Sequence, residues 1–212
     1  MNLKPLLALA LLAFAVKVAS AADLSVSGQI KPVGACNLML GNAGTIDLGT
    51  ISRKDLRDEA NWLNNIYRPI SFSINCPMPT TVALRAIDNR EGTATSEIWD
   101  AAYGLGTTFS GKKFGAYRWM PRQVKIDGSW AQQLLQKNPG DDWAESVKPG
   151  VLGRNLAPNW LTTWTQEGND LPQAFQVVAG NLEFAIHIPV SGLDLSQEIN
   201  IDGSATMELV YL

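Results

Sequence analysis

Histidine occurs once and cysteine twice among the 212 residues, so zinc centres built from His and Cys find little material here, nor do the dense disulfide frameworks of very small secreted proteins. Basic residues are not in excess: 17 Lys and Arg face 20 Asp and Glu, a formal charge of −3. Without a concentrated cationic face, composition gives no support to a nucleic-acid partner or to a polybasic contact with lipid. Charged residues are 17% and hydrophobic ones 46% of the chain, which excludes a disordered tail and describes a foldable globular protein. Repeats, low-complexity tracts and long Pro/Gly/Ser linkers are missing, so the length fits one domain.

The signatures of catalysis are equally thin. His187 has no Gly-x-Ser-x-Gly elbow or comparable nucleophile setting to work with, and its place in an alternating strand reads as solvated. Gly104-x-Gly106 lacks the rest of a phosphate-binding fingerprint and any βαβ context, which leaves a turn. Asp100 and the Asp141-Asp142 pair lack the oxygen-rich loop of a calcium site and read as solvated loop charges. The expectation is a protein that is not an enzyme and uses no cofactor or metal.

What is present begins at the N-terminus. Lys4 precedes an apolar run, Leu6–Val16, of 11 residues, and Ala19-Ser20-Ala21 follows as a small-residue cleavage pattern. The run is shorter than the roughly 20 residues a membrane-spanning helix needs, and Lys17 interrupts it. Residues 1–21 therefore read as a secretory signal peptide, with residues 22–212 as one mature domain. Export gives Cys36 and Cys76 a meaning, because two thiols in an oxidising compartment are expected to be joined. No Cys-x-x-Cys spacing or basic neighbourhood points to redox chemistry.

Beyond the signal, apolar residues mostly recur at every second position between Gly, Pro and Asn, the period of a half-buried strand. The strands expected are Leu24–Val26, Thr45–Leu48, Ile70–Cys76, Val82–Ala86, Leu182–Ile188, Ile199–Ile201 and Ala205–Tyr211. Many short alternating strands predict an all-β fold of two packed sheets, an immunoglobulin-like sandwich. Short helices are expected from Ser129 to Asn138 and within Ser52–Leu63. The middle, about 89–180, reads as loop-rich elaboration and holds six of the seven tryptophans.

Three stretches carry a family resemblance: Gly28-Gln29-Ile30-Lys31-Pro32-Val33-Gly34-Ala35-Cys36, Ile46-Asp47-Leu48-Gly49-Thr50-Ile51, and Ile70 to Cys76. Together with the ending Ala205-Thr206-Met207-Glu208-Leu209-Val210-Tyr211-Leu212, they resemble the frame of chaperone–usher pilins. Asp88-Asn89-Arg90 in the same frame is further similar to the fimbria-associated DUF1120 group, a family of unknown function. The resemblance covers roughly residues 24–88 and 182–212.

The pilin resemblance implies a sandwich lacking its last strand, whose exposed groove is filled first by a periplasmic chaperone and then, through an usher, by a strand from a neighbouring fimbrial subunit. Ala205, Met207, Leu209 and Tyr211 would form one groove wall, and the carboxylate of Leu212 the chaperone's anchor point. A complete sandwich ending in an ordinary last strand is the competing reading. Only 14 residues, Ala22 to Ala35, precede Cys36, and a first strand placed there leaves little to donate, which suits a tip or minor subunit. The implied location is the periplasm in transit, then a fimbrium at the cell surface. The alternative function is a carbohydrate-binding adhesin, its host or surface glycan stacked on Trp119, Trp130, Trp143, Trp160 or Trp164; the competing reading packs those rings in the interior.

Overall fold

The structure, a computed structural model, describes residues 34–52, 68–95, 102–147, 156–189, 193–194 and 196–212. The expected signal peptide, the Leu24–Val26 strand, most of the Ser52–Leu63 helix, and Trp62, Trp99 and Asp100 lie outside them.

The described chain is all-β. Ten strands follow in order: β1 (Asn37–Leu40), β2 (Arg68–Thr80), β3 (Val82–Asp88), β4 (Tyr103–Gly104), β5 (Ala116–Ile126), β6 (Ser129–Gln136), β7 (Ala144–Val147), β8 (Leu161–Gln166), β9 (Phe175–His187) and β10 (Ala205–Tyr211). Hydrogen bonding links them as β1-β2-β9-β5-β6-β8-β3-β10, with β4 on β5 and β7 on β6. The β5–β6 link is short, two residue pairs beside a hairpin turn, so the path folds into two facing sheets. One carries β1, β2, β9 and β5, the other β6, β8, β3 and β10.

Period-two patterning explains the interior. In β2, Ile70, Phe72, Ile74 and Cys76 are buried; in β9 the same holds for Leu182, Phe184 and Ile186, and in β3 for Val82, Leu84 and Ala86. These inner rows meet across the sandwich, and Phe72 reaches Trp164 of the opposite sheet with ring centroids 5.4 Å apart. Cys36 and Cys76 form the expected disulfide, which ties the chain just ahead of β1 to β2.

Three expectations are corrected. Ser129–Gln136 is a strand, not a helix, because Asp127-Gly128 makes a two-residue hairpin turn from β5. Both turn residues are left-handed (φ 46° and 87°), and Asp127 fastens the turn by accepting the backbone N–H groups of Gln176 and Val177. Second, the middle is not mainly loop: it supplies β4 to β8 and the start of β9. Third, Thr45–Leu48 and Ile199–Ile201 join no ladder. They alternate because Ile46, Leu48, Ile199 and Ile201 turn toward the core, while neither stretch pairs with a strand among the described residues.

Candidate functional site: a groove between two edge strands

β1 and β10 are the two ends of the strand path, and they do not pair with each other. Among the described residues the sandwich is therefore open along one side. Between them lies a cavity of about 1110 Å³, at the upper end of the usual size for a ligand site. One wall is Leu38 and Leu40 of β1 with Ile46, Leu48 and Ile51 of the segment that follows. The other is Leu193, Ile199, Ile201, Ala205 and Met207. Core residues Phe114, Tyr117, Trp119, Phe184 and Ile188 form the floor.

Local chemistry holds each wall. On the first, the disulfide and four residue pairs hold β1 to β2. A tight turn at Gly41–Gly44, with Asn42 and Ala43 left-handed (φ 50° and 49°), then redirects the chain along the groove. On the second, Asp88-Asn89-Arg90 acts as a clamp. Asp88 accepts the N–H groups of Arg90 and Gly104; Asn89 donates to the hydroxyls of Ser204 and Thr206, and its backbone N–H to the Ser204 carbonyl. Arg90 grips Asp202, Nη2 to Oδ2 at 2.7 Å and Nε to both Oδ2 and the backbone carbonyl. The motif that suggested a family resemblance thus fixes the chain leading into β10. Gly203 is required there by close approach: a Cβ would sit 2.9 Å from the Tyr117 ring.

The sequence-predicted wall residues divide. Ala205 and Met207 line the cavity. Leu209 is partly buried against the core but does not line it. Tyr211 is exposed, and its hydroxyl accepts the backbone N–H of Cys36 at 2.8 Å, so the end of β10 reaches across the opening and closes one end of the groove. Leu212 is exposed and its backbone N–H donates to the Thr81 carbonyl. The remaining walls, Ile46–Ile51 and Leu193–Ile201, were legible only as alternating segments of unassigned role.

The tryptophans divide too. Trp164, 1% exposed, and Trp119, 6% exposed, are buried within runs of consecutively buried residues in β8 and β5, so neither presents an open ring face for a glycan to stack on. Trp130 is 48% exposed with the Lys125 ammonium 5.0 Å from its ring centre. Trp143 and Trp160 are half-buried, the latter under Lys137.

Asp47 and Glu198 are the charged residues of the described lining. Burial, reinforced by the nearby Asp88 carboxylate, pushes the Tyr117 phenol far above its ordinary range, so it stays neutral. Hydrogen bonds from Ser196 hold the exposed Asp194 carboxyl below its usual range. His187 is half-buried rather than fully solvated, and that burial lowers its pKa from the usual 6.5. Among the described residues no group of three or more His, Cys, Asp or Glu is placed to hold a metal ion.

Fold and groove define a class: a disulfide-bridged all-β sandwich that, among the described residues, is open between two edge strands. A family model described as a protein of unknown function (DUF1120) matches residues 24–101. That stretch, less than half of the chain, holds both bridged cysteines, β1 to β3 and the Asp88-Asn89-Arg90 clamp. No curated protein matches the chain.

Proposed function

We propose that this chain is an exported, pilin-like fimbrial subunit that accepts a strand in the groove between β1 and β10. One observation carries the reading: among the described residues, two strand edges without a partner strand flank a groove whose walls carry Leu, Ile and Met side chains over a floor of core aromatics. Edges and apolar surface of this kind drive aggregation unless another strand covers them. A strand laid in the trough contributes main-chain hydrogen bonds along its edges, and its alternate side chains enter the cavity. In this reading a periplasmic chaperone supplies the strand first, with the Leu212 carboxylate as an anchor, and a neighbouring subunit supplies it after passage through an usher.

Co-expression with a fimbrial chaperone tests the reading. Wild-type chain is expected to co-purify as a soluble complex, and Met207→Lys or Leu40→Lys, which place a charge in the groove, to lose it. A stable monomer indifferent to chaperone and to both substitutions would refute it. A second reading, a glycan-binding adhesin, draws on the exposed Trp130 ring beside Lys125. Glycan-array binding removed by Trp130→Ala would favour it, and arrays without signal would remove it.

A further inference from the structure

On the side away from the groove, part of the first sheet faces solvent. Leu38 and Leu40 line the groove, so Met39 between them points the other way, and it is 52% exposed. Register carries that outer face across the sheet: Met39 lies beside Ser73, Ser73 beside Ala179, Ala179 beside Lys125, and Lys125 beside Trp130. Four strand spacings make this row roughly 19 Å long. Asn75 and Asn181, two residues along from Ser73 and Ala179, share the face. Asn75 donates to the Ser73 hydroxyl at 3.0 Å, and Asn181 to the Gln123 amide oxygen at 3.3 Å. One bond apiece uses only part of what a carboxamide offers.

A bulge puts Gln123 there. Between Arg122 and Lys125 the β5–β9 register shifts, and Gln123 takes a left-handed backbone (φ 52°), a costly state for a residue with a side chain. Gly180 makes room for the bulge, since a Cβ at that position would sit 2.9 Å from the Arg122 carbonyl oxygen. Glycine at 123 would relieve the strain; glutamine instead sets a second carboxamide beside Asn181.

We propose that this face is a glycan-binding platform, on which one sugar ring stacks against Trp130 while hydroxyls of the adjoining sugars bond Gln123, Asn181 and Ser73. The inference rests on the glycan reading and gives it a site. A sugar has an apolar C–H face and a rim of hydroxyls, and its complement is an exposed aromatic ring beside amides that both donate and accept. Other ligands match less well. A nucleic acid requires several free cations, whereas Arg122 is paired with Glu183 and the Lys125 ammonium rests 5.0 Å from the Trp130 ring centre. An apolar protein surface requires a continuous patch, but Ser73, Ala179 and Lys125 separate Met39 from Trp130. Stacking exchanges the ammonium–ring contact for a C–H one and frees Lys125 to donate to the sugar oxygens. Because the groove lies on the other side of the sheet, glycan binding here leaves it open to a strand.

The test screens the full chain on an array of neutral and carboxylated oligosaccharides and titrates the strongest binder against single variants. Gln123→Gly is the most telling of them. Glycine is at ease at φ 52°, so this variant should melt no lower than wild type and lose only the carboxamide. Gln123→Gly and Asn181→Ala are each expected to weaken binding about tenfold, and Trp130→Ala to weaken it further. Trp143→Ala and Trp160→Ala should bind as wild type. If a glycan binds and both Gln123→Gly and Asn181→Ala hold it as tightly as wild type, the platform is overturned while the glycan reading stands. Loss of binding through Trp143→Ala or Trp160→Ala, with Trp130→Ala unaffected, would place the site elsewhere and overturn the platform in the same way. If no glycan on the array binds, the glycan reading falls and this inference with it.

Discussion

Removing the Cys36–Cys76 bridge by a double Cys→Ala substitution tests how the first wall of the groove is held. The cysteines are 40 residues apart, and loop-closure entropy for a loop of that length is worth about 4 kcal/mol. For a domain of this size each kcal/mol moves the melting temperature by about 2–4 °C, so a fall of roughly 8–16 °C is expected. The loss should not be evenly distributed. β1 contributes only four residue pairs to its ladder, whereas β2 continues along β9 over most of its length. β1 also borders the open side, with Cys36 bonded to the Tyr211 hydroxyl at the groove's closed end. Denaturant unfolding of the oxidised protein and the double variant gives the global term, and residue-resolved hydrogen exchange gives its distribution. Asn37–Leu40 should exchange faster by a larger factor than Ile70–Ile74. A destabilisation below about 1 kcal/mol, or a uniform acceleration across both strands, would refute the claim that the bridge is what fixes the β1 wall.

Three further outcomes follow from single contacts. Asp127→Ala removes the acceptor of two backbone N–H groups and puts Ala at a left-handed position, so urea unfolding should show a loss of about 2 kcal/mol. Tyr211→Phe deletes the acceptor for the Cys36 N–H and should cost about 1 kcal/mol, with faster exchange of that amide as its local signature. His187 is held below its usual 6.5 by burial, so the unfolded chain binds more protons than the folded one as pH falls through that value. Stability should therefore decline as pH drops below about 6.5, and His187→Gln should flatten that part of the pH–stability curve.

Much of the framework was legible because buried strands advertise themselves. Ile70-x-Phe72-x-Ile74 and Leu182-x-Phe184-x-Ile186 alternate cleanly, and both are central strands. Alternation does not reveal whether a strand has neighbours, and for that reason Thr45–Leu48 and Ile199–Ile201 read as strands yet stand unpaired on opposite walls of the groove. Ser129–Gln136 was misread because Ala131, Gln132, Gln133, Leu134 and Leu135 are all buried, which erases the period of two. The signal that would have corrected it is Ile126-Asp127-Gly128-Ser129, an Asp-Gly turn between two strand-forming residues. Spacing along the chain also could not separate Trp119 on the groove floor from Trp164 in the core. Both occupy inward positions, and only the fold shows which faces the opening.

The central claim, that the open side of the sandwich accepts a strand, is tested most directly by amide hydrogen exchange on Ala205–Tyr211 with and without a bound chaperone or donor peptide. In an antiparallel edge strand alternate amides face away from the ladder, so in the chain alone every second amide of β10 should exchange quickly and the others, bonded to β3, slowly. Binding should protect the fast set and leave the slow set unchanged. Uniform protection of β10 in the isolated monomer, unaltered by any partner strand, would contradict the account.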